Sequence, residues 1–144
     1  MSPEEIFDRA RERGRELELP YAGAVTPLEA HRLQLAGAAQ IVDVRTREEW
    51  HHVGRVPDSI LIEWRRAGES RPDAGFLGKL GERFAREAPI LFLCRSAVRS
   101  HHAAHAARAA GFERTYNILE GFEGPQDREE QRGWRAAGLP WEQG

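Results

Sequence analysis

Two stretches of the chain, "QIVDV" at 40–44 and "PILFLC" at 89–94, are almost continuously apolar. That pattern suits parallel strands covered on both faces, whereas a half-exposed strand would alternate. Three further short runs read as strands: "GAV" (23–25), "SILIEW" (59–64) and "TYNI" (115–118). Helical segments fall between them, over about 27–36, 46–52, 74–87 and 98–110. Strands alternating with helices imply an α/β layer fold, a parallel sheet flanked by helices on both faces. Three S/T-x-x-E signatures mark helix starts, Ser2 with Glu5, Thr26 with Glu29 and Thr46 with Glu49. Pro3 and Pro27 follow the first two caps, where a missing N–H costs nothing. The first of these helices, about 3–18, is strongly charged and is expected on the surface as an N-terminal extension (1–20) to a domain over 21–144. The segment 98–110, taken with Ala97, holds seven alanines and can pack closely on a sheet, with Gly111 in the C′ position. From Gly121 onward the chain is rich in Gly, Pro and charge. Its "GWRAAGLPW" is expected to wrap the domain as a loop with a short helix.

A chain of 144 residues forms one domain and buries roughly two-thirds of its unfolded surface. With 40% apolar and 31% charged residues it reads as a soluble globular protein. The formal net charge of −2 provides no basic field for nucleic acid or an anionic membrane, so neither is expected as a partner. No apolar stretch approaches the roughly 20 residues of a spanning helix. The opening "MSPEEIFDRARERG" lacks a signal peptide's apolar segment and cleavage site, which leads us to expect a cytoplasmic protein.

Cys94 is the only cysteine, which excludes an internal disulfide and CxxC redox chemistry. A lone cysteine at the end of an apolar strand is ordinarily a small buried hydrophobe. The surroundings argue for more. In a parallel sheet the C-terminal ends of the strands are where α/β proteins place their sites. The loop "CRSAVR" then opens a helix whose first N–H groups are unpaired and whose dipole is positive there. An anion at that point gains hydrogen bonds from several amides, and Arg95 and Arg99 add full charges. Each effect favours thiolate over thiol, so Cys94 is expected to be a nucleophile.

Three motifs then resemble a known family, the single-domain rhodaneses. The family's active-site loop has the form C-R-S-G-x-R-S, and this chain reads Cys94-Arg95-Ser96-Ala97-Val98-Arg99-Ser100. The segment "IVDVRTREEWHHVGRVPDSILI" is similar to the family's Asp-x-Arg strand end, short helix and G-H-I-P-G-A turn. "YNILEGFEG" followed by "GWRAAGLPW" is the third match. Together they cover about residues 21–142. The resemblance implies sulfurtransferase chemistry without a cofactor or metal. Cys94 would take sulfane sulfur from a small anionic donor such as thiosulfate, become a persulfide, and lose the outer sulfur to cyanide or a thiol. The amides of 95–99 would hold the persulfide or the donor's oxygens; Arg95 and Arg99 would supply charge, and Ser96 and Ser100 hydroxyl bonds. Asp43 and Arg45 match the family's supporting pair, and are equally readable as a structural ion pair. The loop departs from the family at Ala97, where glycine is usual; we expect Ala97 in the right-handed region, since strain without glycine is uncommon in such a loop. In the turn Gly54-Arg55-Val56-Pro57-Asp58-Ser59, Arg55 stands where the family has histidine.

Two rivals follow from the same residues. Cysteine phosphatases related to this fold use a Cys-x5-Arg loop, but Cys94 and Arg99 enclose four residues, a ring too tight for a phosphoryl group. The other rival is a non-catalytic rhodanese-like module that binds a protein partner or relays its persulfide sulfur; retention of Cys94 argues for catalysis. His101 and His105 stand i, i+4 with His102 beside them, yet no second ligand cluster accompanies them, so no metal is expected. His51 and His52 end a short helix, where a cation is favourable. Trp50, Trp64, Trp134 and Trp141 are expected in packing, with Trp64 near the mouth of the pocket.

Overall fold

The computed structural model describes residues 1–125 and 132–144. Strands β1 (Gly23–Val25), β2 (Gln40–Asp43), β3 (Ile60–Leu61), β4 (Ile90–Leu93) and β5 (Thr115–Ile118) form one sheet in the order β1-β5-β4-β2-β3. Every neighbouring pair is parallel. Helices α1 (Pro3–Glu16), α2 (Pro27–Leu35), α3 (Arg47–His52), α4 (Phe76–Arg83) and α5 (Val98–Ala109) complete the fold. The capping boxes of α1, α2 and α3 all form, each threonine or serine oxygen accepting from the glutamate N–H three residues on.

Alternation along the buried strands divides the core into two layers. Leu91 and Leu93 of β4 point with Ile41, Tyr116 and Ile118 toward Ile6 and Phe7 of α1 and Ala30 and Leu33 of α2. Ile90 and Phe92 point the other way, with Val42, against Phe76 and Leu80 of α4 and Ala103, Ala104 and Ala107 of α5. Both faces of the sheet are thus covered, which is why the strands carry no polar alternation. Each fully buried Leu, Ile or Phe contributes roughly 1.5–3 kcal/mol relative to exposure. The alanines of α5 bring its backbone close to the sheet, which sets the height at which the preceding loop crosses the end of β4.

Four elements differ from expectation. β3 has two residues where six were expected, because it is an edge strand paired only at Val42–Ile60 and Asp43–Leu61; single bonds from Ile62 N–H to Asp43 O and Trp64 N–H to Val44 O continue its line. α4 stops at Arg83 because Phe84 turns to extended backbone (φ −133°) and buries its ring. "GWRAAGLPW" forms turns and no helix, with Gly138 at φ 76° closing the segment while Trp134 is buried beside it. Residues 126–131 of the expected wrapping loop lie outside the described residues. Finally, α1 keeps most of its charge outward but turns Arg13 inward to Glu29 and buries Ile6, Phe7, Ala10 and Gly14. It lies so close to β1 that a Cβ on Gly23 would sit 2.2 Å from Ala10 O. Among the described residues, no helix is long and apolar enough to cross a membrane.

Candidate active site

Cys94 follows the last residue of β4, and its side chain belongs to the α5 side of the sheet. It is 1% exposed. Residues 95–97 turn the chain and Val98 begins α5. Ala97 N–H donates to Sγ at 3.1 Å, and Ser100 Oγ lies 3.2 Å from Sγ. Several loop amides were expected on the sulfur; among the described residues, Ala97 supplies the one that bonds to it. Ala97 is also left-handed (φ 77°, ψ 4°), not right-handed as expected from the missing glycine. The αL conformation costs a residue with a Cβ about 1 kcal/mol. It is what redirects the chain, beyond the N–H that faces the sulfur, into the first turn of α5.

The two loop arginines diverge. Arg99 reaches across to α3 and grips Glu49 with two bonds, Nη1 to Oε1 at 2.6 Å and Nη2 to Oε2 at 2.9 Å. The pair is largely enclosed, with side chains 19% and 21% exposed. Burial by itself would raise the Glu49 carboxyl; the Arg99 bonds, the Thr46 N–H and the charges of Arg99 and Arg45 outweigh it and hold the group at about 2, against an ordinary 4.5. The Glu49 bonds in turn raise the Arg99 guanidinium above its ordinary value; burial opposes, and the charges of Glu49, Cys94 and Asp43 add to the rise. Arg95 points the other way, its Nε 3.1 Å from Glu123 Oε2. Glu123 also meets Arg135 at 3.4 Å. Val98 is exposed and Ser96 half-buried at the outer rim of the loop.

Asp43 and Arg45 form a fully buried pair at the end of β2. Arg45 Nη2 donates to Asp43 Oδ2 and to Gly54 O, each at 2.7 Å, and the guanidinium stacks 4.4 Å from the Phe122 ring centroid. Phe122 N–H in turn donates to Cys94 O at 2.8 Å. The pair therefore braces the neighbouring loops without touching the sulfur. Gly121, at φ 66°, passes so near that a Cβ there would lie 2.4 Å from Arg95 O and 2.6 Å from Cys94 O.

Sequence reasoning left Asn117, Glu49 and Glu123 out of the site. Asn117 carried a signal: it is the one amide in the otherwise apolar or hydroxyl-bearing run "TYNI", and it is buried. Its Oδ1 accepts from Ser100 Oγ at 2.5 Å, and its Nδ2 donates to Ala97 O at 3.1 Å. Glu49 had a role assigned already, as the capping partner of Thr46, and nothing local announces its bond to a residue fifty positions away.

A cavity of about 610 Å³ runs from the helix end of the loop along α5, lined by Trp64, Arg65, Val98, Arg99, His102 and His105. Trp64 lines this cavity, packed edge-on against Phe76. Trp134 is buried, Trp50 lies under Arg55, and Trp141 is partly exposed beside Phe122. His101 turns from the cavity to Tyr21, with Nδ1 2.6 Å from the hydroxyl. Among the described residues, no group of three or more His, Cys, Asp or Glu is arranged to hold a metal ion.

The sequence model of the Rhodanese-like domain matches residues 26–127. An uncharacterised protein of Rickettsia conorii is 37% identical over 110 residues, covering 72% of this chain and 83% of that one. The crystal structure of Rv0390 from M. tuberculosis is similar at 44% identity and a TM-score of 0.74, over 86% of this chain and 99% of that chain. A human single-domain sulfurtransferase, TSTD1, is similar at 26% identity and a TM-score of 0.52, over 67% and 88% of the two chains. Matched by that model over most of its length, the chain belongs to the rhodanese-like domain family.

Proposed function

We propose that the protein is a sulfurtransferase that carries sulfane sulfur as a persulfide on Cys94. The observation that carries this reading is the contact set at Sγ, one backbone N–H at 3.1 Å and one hydroxyl at 3.2 Å, at the N-terminus of α5. A fold alone would not carry it, since one fold hosts many functions. In the first half-reaction the Cys94 thiolate attacks the outer sulfur of thiosulfate; the new S–S bond forms as the old one breaks, and sulfite leaves with the electron pair. In the second, cyanide or a thiolate attacks the outer sulfur of the persulfide and Cys94 departs as thiolate. Nothing is oxidised or reduced by an outside reagent. The Ala97 N–H and the helix dipole stabilise negative charge on sulfur in both steps.

Arg95 and Arg99 are the cations for an anionic donor, each beside a glutamate that offsets part of its charge. That neutralisation also favours a second reading, in which the chain receives sulfur from the persulfide of a protein partner, a donor less dependent on free cations. Mass spectrometry after treatment with thiosulfate tests the reaction. The parent protein gains one sulfur, and cyanide removes it as thiocyanate. Cys94→Ser gains none and keeps its fold. Thiocyanate production at the parent rate by Cys94→Ser would overturn the mechanism; a parent that gains sulfur from a persulfidated protein and not from thiosulfate selects the second reading.

A further inference from the structure

The amide of Asn117 is buried at the third position of β5, paired through its strand with Ala24 of β1 and Phe92 of β4. A polar side chain in that position has to find partners, and this one finds them on the cysteine loop. Its Nδ2 donates to Ala97 O at 3.1 Å and its Oδ1 accepts from Ser100 Oγ at 2.5 Å. The reverse amide orientation would set two oxygens against each other at Ala97, so the neighbours dictate which end faces which.

Among the described residues, Ala97 and Ser100 are the two that hydrogen-bond with the sulfur. Ala97 holds a left-handed backbone that its Cβ disfavours, and such a conformation persists only where surrounding contacts over-determine it. The Asn117 bond to its carbonyl is such a contact. Ser100 has one hydroxyl proton and two neighbours, and the 2.5 Å bond assigns that proton to Asn117 Oδ1. The Ser100 oxygen therefore presents lone pairs toward a protonated Sγ, and the hydroxyl must turn from Asn117 to donate to an anionic sulfur.

We propose that Asn117 is a positioning residue for Cys94: by tying the Ala97 carbonyl it clamps the left-handed turn that joins the sulfur-bonded N–H to α5, a turn glycine would hold unaided, and it sets the direction of the Ser100 hydroxyl. The inference rests on Cys94 being the nucleophile of the proposed function. Iodoacetamide, a neutral alkylating agent, reports on the thiol without requiring any sulfur transfer, so the two ideas fail separately.

The test is the rate of Cys94 alkylation by iodoacetamide at neutral pH in three full-length chains: the parent, Asn117→Leu, and Asn117→Leu combined with Ala97→Gly. Leucine fills a similar volume but offers neither bond. The expected result is a loss of at least fivefold in Asn117→Leu and recovery of at least threefold when Ala97→Gly is added, because glycine adopts φ 77° without the clamp. A general weakening of the strand would expose the buried thiol and speed its alkylation, the opposite of the expected loss. Alkylation of Asn117→Leu within fivefold of the parent or faster, or a loss that Ala97→Gly leaves in place, overturns the proposal. Should Asn117→Leu fail to fold, Asn117→Thr carries the same comparison with the same limits, since it suits a strand and keeps an acceptor for Ser100 while being one atom shorter toward Ala97.

Discussion

Replacing Glu49 by Gln isolates the charge of the Glu49–Arg99 pair. Glutamine can keep the capping box of α3, in which Glu49 Oε1 accepts from Thr46 N at 3.1 Å and Thr46 Oγ at 3.2 Å. What is lost is the carboxylate that grips Arg99 by two bonds. The folded carboxyl sits at about 2 and its ordinary value is 4.5. That gap corresponds to a ceiling of about 3 kcal/mol. A pair about one-fifth exposed is partly screened by solvent, which brings the expected loss in Glu49→Gln at pH 7 to about 1–2 kcal/mol. The sign follows from the depressed value. The contribution is complete above 4.5 and declines as pH falls toward 2; at pH 3 about two-fifths of the neutral value remains. Urea denaturation of the parent and the variant at pH 7, 5, 4 and 3 measures this directly, with the two curves converging as the medium becomes more acid. A stability difference that stays constant from pH 7 to pH 3 would refute the reasoning, because it would mean that the loss is one of packing and not of charge.

Ala97→Gly should stabilise the protein by up to about 1 kcal/mol, the relief of αL strain exceeding the added entropy of the unfolded chain; a lower denaturation midpoint in the glycine variant counts against a strained loop. Gly121→Ala should cost about 2–4 kcal/mol, since its Cβ meets the carbonyls of Arg95 and Cys94 at a positive φ. A loss below about 1 kcal/mol would show that the two loops separate easily.

The parts of the fold that were legible in the sequence are those decided locally. The capping boxes needed only residues three apart, and the continuous apolar runs of β2 and β4 announced burial on both faces. The order strand, cysteine, helix was equally local, and Cys94 does stand between β4 and α5. What could not be read depends on contacts between distant residues. The handedness of Ala97 is set against β5 by Asn117, twenty positions on, so the absence of glycine misled. The direction of Arg99 is set by Glu49 and that of Arg95 by Glu123. β3 was read as six residues because "SILIEW" has strand composition throughout, whereas an edge strand ends where its single neighbour stops offering partners.

Because β4 lies between β5 and β2 in the sheet, the strand that leads into Cys94 is the part of the molecule least able to open by fraying. Its amides should exchange with solvent hydrogen only when the whole domain unfolds, while those of the two-residue edge strand β3 exchange far sooner. The thiol is therefore insulated from local breathing. Cys94 is 1% exposed, so on the reading proposed above the lifetime of its outer sulfur would depend on how readily the turn at residues 95–97 and the start of α5 open, and not on the stability of the sheet beneath it.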